Sequence, residues 1–126
     1  MKIYVFGNPL VKEDSFPLRL LIDLENSFRQ IKFVVADPNE NFPPDGERNL
    51  IILDTVIGIK KPMLLNLNDF DSKKNTPVSP HDYDLLFHLL ILKKLNKIMG
   101  VKIIGIPPDF KKEDLDSVSK IISTLL

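Results

Sequence analysis

The chain has 126 residues, enough to bury the core of one domain. Seventeen basic and 17 acidic residues cancel, so no cationic excess draws nucleic acid or an anionic membrane. There is no cysteine, which excludes disulfides and thiolate metal sites within the chain and suits a reducing cytoplasm.

The first strand is expected over Lys2–Phe6, a short β-branched and aromatic run stopped by Gly7. Its apolar run is too short for a signal peptide, and no segment reaches the length of a membrane span. A cytoplasmic location is expected. From Phe16 to Arg29, Pro17, Leu20, Leu21, Leu24 and Phe28 recur at helical spacing, and Pro17 suits a first turn. Ile31–Ala36 reads as a second strand. Asp37–Arg48 is polar and carries prolines, so a loop is expected there.

Leu50–Leu53 is apolar throughout, as a strand covered on both faces should be, and Asp54 is expected to end it. Pro62–Leu67 is the fourth strand candidate. No crossover helix fits between it and the third strand, so it is expected to run antiparallel. Asn68–Ser79 reads as a loop and His81–Met99 as the clearest helix, stopped by Gly100. Val101–Ile106 is a fifth strand. Leu115, Val118, Ile121, Ile122 and Leu125 mark a last amphipathic helix. Strands alternating with helices imply a single α/β domain over residues 1–126, with a mixed, mostly parallel five-stranded sheet.

Ligands in open α/β sheets gather at the carboxyl ends of the strands. Three segments deliver polar groups there: Asn8, Glu13 and Asp14 after the first strand, Asp54 after the third, and His81 before the long helix. Each has an ordinary structural reading. Asp14 or Ser15 can cap the first helix, and Asp54 can accept backbone donors. His81 can be a solvent-facing ring in a first turn capped by Ser79 and opened by Pro80. His88, two turns further on, is peripheral. Taken together, two carboxylates and one imidazole make an oxygen and nitrogen donor set suited to zinc, nickel, manganese or iron.

Four motifs in order resemble the hydrogenase maturation endopeptidases. They are GNPLVKED (Gly7–Asp14), LIILDTV with Asp54, SPHDYDLL with His81, and IIGIPP (Ile103–Pro108). The resemblance implies a three-layer α/β/α sandwich of phosphorylase/hydrolase-like type. It implies a peptidase that removes the C-terminal peptide from the nickel-loaded large-subunit precursor of a nickel-iron hydrogenase. Asp14, Asp54 and His81 would be the metal ligands and catalytic residues. Gly7, Asn8 and Asp37 would contact the substrate. Nickel would arrive with the precursor, and zinc or cadmium could occupy the same site. Glu13 would be an accessory acid. A monomer is expected, with the precursor as partner and neither nucleic acid nor membrane. Ser15, Pro17 and the glycine-free ADPNEN loop depart from the family's glycines. Two other readings stay open. One is a receiver-like domain with Asp54 as phosphoacceptor. The other is a non-catalytic protein that binds a hydrogenase subunit.

Overall fold

The computed structural model describes residues 1–37, 40–70, 79–80 and 83–126, with the side chains of 79–80 and 83–84 left aside. Its strands are β1 (Lys2–Val5), β2 (Lys32–Val35), β3 (Asn49–Ile57), β4 (Met63–Asn66), β5 (Ser79–Pro80) and β6 (Gly100–Ile106). Its helices are α1 (Phe16–Arg19), α2 (Leu21–Ser27), α3 (Tyr83–Lys94) and α4 (Asp114–Leu125).

Five strands lie in the order β2-β1-β3-β6-β4. The first four run parallel, and β4 runs antiparallel to β6, pairing Leu64 with Ile104. The sheet is therefore mixed, as expected. β5 is a short addition that pairs antiparallel with the far end of β3.

Alternation along the strands divides the core between two faces. Tyr4, Phe6, Ile52 and Val56 pack with Leu85 and Leu89 of α3 on one face. Ile3, Val5, Leu53 and Ile104 pack with Leu20, Leu24, Val118 and Ile122 on the other. This gives three layers, with α3 on one side and α1, α2 and α4 on the other. Burying each of these Leu, Ile and Val side chains contributes roughly 1.5–3 kcal/mol before conformational entropy is charged against it.

Several elements differ from expectation. The first helix is broken at Leu20 into α1 and α2. β3 does not end at Asp54: Asp54 and Thr55 continue the ladder opposite Gly105 and Ile106, and the strand reaches Ile57. Ser79 and Pro80 are not a helix cap and first turn, because they pair with Ile57 and Val56 as β5. Gly100 does not stop the long helix. α3 ends at Lys94, and Asn96 adopts a positive φ of 59°. The Lys97 N–H then donates to the Leu92 carbonyl at 2.9 Å, closing the helix with a left-handed cap.

The 37–48 loop also has an anchor that a polar reading missed. Phe42 is buried, with its ring 5.0 Å from those of Tyr4 and Phe6 in edge-to-face contacts. Such pairs contribute about 0.5–1.5 kcal/mol each beyond their area.

Candidate functional site

The chain leaves β1 to reach β2 on one side and later returns to place β3 on the other. The strand order thus reverses between β1 and β3, and the crevice beyond their carboxyl ends is the switch point of the sheet.

Two carboxylates are buried beside that crevice. Asp14 is 3% exposed and Asp54 is 6% exposed. Asp54 reaches the crevice because β1 stops one residue short of its level. The Phe6 N–H donates to the Leu53 carbonyl at 3.0 Å, and β3 then runs on without β1 beside it. Alternation turns Asp54 toward the α3 face, into a small cavity of about 20 Å³ that it shares with Ile52, Val56, Leu85 and Leu89. Leu85 belongs to the first turn of α3, where the helix dipole favours negative charge. Asp54 Oδ1 accepts the Thr55 N–H at 2.8 Å.

Asp14 is brought back to the same edge by the Gly-Asn-Pro loop. Asn8 Oδ1 accepts the Leu10 N–H at 2.9 Å, which folds the chain into a tight turn. The Val11 N–H donates to the Asn8 carbonyl, and the Asp14 N–H donates to the Val11 carbonyl at 3.0 Å. Residues Lys12–Asp14 form a 3-10 turn packed against β3. The Asn8 N–H donates to the Asp14 carbonyl at 3.0 Å, closing the loop onto the end of β1. Gly7 is required here. A Cβ at this position would lie 2.8 Å from the Asp14 carbonyl oxygen, too close for any side chain.

Neither Asp14 nor Ser15 caps α1 through its side chain. Ser15 Oγ instead donates to the Lys12 carbonyl at 2.8 Å. Glu13 is exposed. Asp37 follows β2, the outer neighbour of β1, and is exposed at the same edge. Its carbonyl accepts the Glu40 N–H at 3.0 Å, and the Ala36 N–H donates to the Val5 carbonyl at 2.9 Å.

His81 lies outside the described residues. The described chain on both sides of it is beside the end of β3: Pro80 pairs with Val56, and Leu85 shares the Asp54 cavity. Among the described residues, no three acids or histidines are grouped closely enough to hold a metal. His88 is exposed and borders a separate cleft of about 480 Å³ between α3 and the 41–47 loop.

The opposite, amino-terminal end of the sheet holds a different polar group. The Tyr4 hydroxyl donates to Glu47 Oε2, and Lys2 Nζ lies 3.1 Å from Glu47 Oε1. Burial, the hydrogen bond and the charge of Glu47 raise the Tyr4 pKa well above the usual phenol range. The Tyr4 hydrogen bond, opposed by partial burial and aided by Lys2, lowers that of Glu47. Sequence reasoning missed this network. Its one visible signal is an acid two residues before a buried strand.

No family model, curated protein or solved structure matches this chain. Among the described residues, no helix is long and apolar enough to cross a membrane.

Proposed function

We propose that the protein is a hydrogenase maturation endopeptidase, which removes the C-terminal peptide from the nickel-loaded large-subunit precursor. One observation carries the reading. Asp14 and Asp54, far apart in sequence, are both nearly fully buried beside the switch point of an open α/β sheet. A carboxylate taken out of water is held there by hydrogen bonds, by opposite charge or by a bound cation. A divalent cation is a partner that two carboxylates from separate segments can share. The donor chemistry fits: two carboxylate oxygens from this edge, and one imidazole nitrogen from the segment joining β5 to α3. Three protein ligands leave coordination positions for the substrate.

In this mechanism the nickel belongs to the substrate. Asp14 and Asp54 supply the anionic half of a site completed by His81, and the precursor supplies the remaining ligands. Cleavage is conditional on nickel loading because only a loaded precursor is held at the crevice. When held there, the ion would supply a Lewis acid for the scissile carbonyl. Gly7 and Asn8 fix the loop that carries Asp14, and Asp37 offers an exposed acid to the peptide entering beside β1. Where the ion only positions the peptide, a carboxylate at the edge would instead act as general base toward the attacking water.

The test is direct. Purified protein is mixed with nickel-loaded and with nickel-free precursor, and the product is weighed by mass spectrometry. A shortened product from the loaded precursor alone supports the proposal. Complex formation without shortening supports the non-catalytic alternative instead. The receiver-like alternative requires Asp54 to be phosphorylated by a small phosphodonor with magnesium. It has less support, because β4 runs antiparallel where the flavodoxin-like order is parallel throughout.

A further inference from the structure

The loop that carries Asp14 holds three consecutive apolar residues in solvent. Pro9, Leu10 and Val11 are all exposed, and Leu10, at 91%, is the most exposed large apolar side chain among the described residues. Single exposed leucines are ordinary, but an exposed apolar run calls for a function. The run is also held in place. Pro9 has no N–H and a fixed φ. The Leu10 N–H donates to Asn8 Oδ1 at 2.9 Å, and the Val11 N–H donates to the Asn8 carbonyl at 3.2 Å. Both backbone donors of the run are therefore bonded within the loop, while its side chains stand in water.

Asp14, only four residues beyond Leu10, is buried beside the switch point. Four residues span at most about 14 Å even when extended, and the 3-10 turn over Lys12–Asp14 shortens that reach. The exposed run and the buried carboxylate are thus two ends of one braced loop.

We infer that Leu10, flanked by Pro9 and Val11, seats the precursor on the crevice by entering an apolar recess of the folded, nickel-loaded large subunit. The inference rests on the peptidase reading and adds the contact that recognises the substrate. A side chain exposed on nearly every side is a knob, and a knob gains most from a concave partner. A flexible peptide would have to be ordered around it, at an entropic cost, whereas a braced loop and a formed recess meet with little to order on either side. Metal loading is coupled to folding, so a loaded precursor offers formed surface beside its ion. Lys12 and Glu13, both exposed, follow the run and give the contact a polar rim.

Steady-state cleavage of the nickel-loaded precursor by the full chain, with KM and kcat resolved, reads the result. Leu10→Ser should raise KM about tenfold or more, the scale of a lost buried leucine, and leave kcat within about twofold. Leu10→Met should keep KM near the wild-type value, because methionine fills an apolar recess of similar volume. Ile22→Ser, at a 74% exposed position on α2, should change neither constant. Calorimetric titration should find cadmium binding by Leu10→Ser unchanged, since Leu10 seats the substrate and does not support Asp14. An unchanged KM in Leu10→Ser, while the wild-type chain cleaves, overturns the inference and leaves the peptidase reading standing. So does an equal rise in KM for Ile22→Ser, or a loss of cadmium binding by Leu10→Ser. A wild-type chain that leaves the loaded precursor at full length removes the peptidase reading and this inference with it.

Discussion

The two ends of the parallel sheet handle negative charge in opposite ways. At the amino end, Glu47 is a quarter exposed and is held by Tyr4 and Lys2 of the neighbouring strand β1. At the carboxyl end, Asp14 and Asp54 are almost fully buried, and Asp54 shares an apolar cavity. Glu47 ties the approach to β3 onto the start of β1, a task that ends with the fold itself. Asp14 is set in place by a loop whose hydrogen bonds return it to the sheet. On the proposed reading, the contrast separates an acid that holds the protein together from acids that the protein holds in position.

Substitution should break the two ends differently. Asp54→Asn and Asp14→Asn keep size and remove charge, so processing of a nickel-loaded precursor should fall at least about 100-fold, the usual scale for losing acid-base or metal-directed catalysis. His81→Ala should do the same. Thermal melting of the purified variants should show each of them folded. Normal processing by all three would sink the peptidase proposal.

Gly7→Ala should come next, and it should affect both properties. The added Cβ forces the Asp14 carbonyl to move, at a cost of about 1–3 kcal/mol. Denaturant unfolding should report that loss, and processing should decline because Asp14 is displaced. A Gly7→Ala protein with wild-type stability would show that the loop relaxes freely and that its closure does not fix Asp14.

Glu47→Gln should have the smaller effect, about 1 kcal/mol of stability and no change in processing. The pH dependence follows the same division. The pKa of Glu47 is lowered in the folded protein, chiefly by the Tyr4 hydrogen bond. Its contribution is therefore complete above the unfolded glutamate range, about 4.3, and is lost as pH falls through the lower folded value. Tyr4 is shifted upward, chiefly by burial. Its contribution is complete below the unfolded phenol range, about 10, and is lost as pH rises beyond it. Unfolding free energy against pH should thus fall at both extremes. Tyr4→Phe should remove the alkaline limb and shrink the acid one. Unchanged limbs in that variant would assign the pH dependence to other groups.

Most of the architecture was legible because it rests on period and length. The strands announced themselves as short β-branched runs, and the missing crossover between the third and fourth forced β4 to run antiparallel. Boundaries were harder to read. Asp54 looked like a strand end because an acid seldom sits in a ladder, yet its pairing opposite Gly105 carries β3 onward. Gly105 has no side chain, and a Cβ there would press on Val56, Ile59 and Leu65, so it allows close packing at that level. Gly100 looked like the helix stop because glycine is the usual residue, but Asn96 can also adopt the left-handed conformation and comes first. Ser79–Pro80 looked like a helix start and proved to be a strand, since its partner on β3 is distant in sequence. Sequence expected Asp14 and Asp54 at the carboxyl edge of the sheet, and both lie buried there. It could not supply the Tyr4–Glu47–Lys2 network, which depends on where a long loop rejoins the sheet.

The central claim is that Asp14, Asp54 and His81 meet around one divalent cation. Calorimetric titration of the free protein with cadmium, compared with each single variant, tests it most directly. One ion per chain, with binding abolished by Asp14→Asn, by Asp54→Asn and by His81→Ala alike, is the predicted result. Cadmium binding that survives any one of those substitutions unchanged would contradict it.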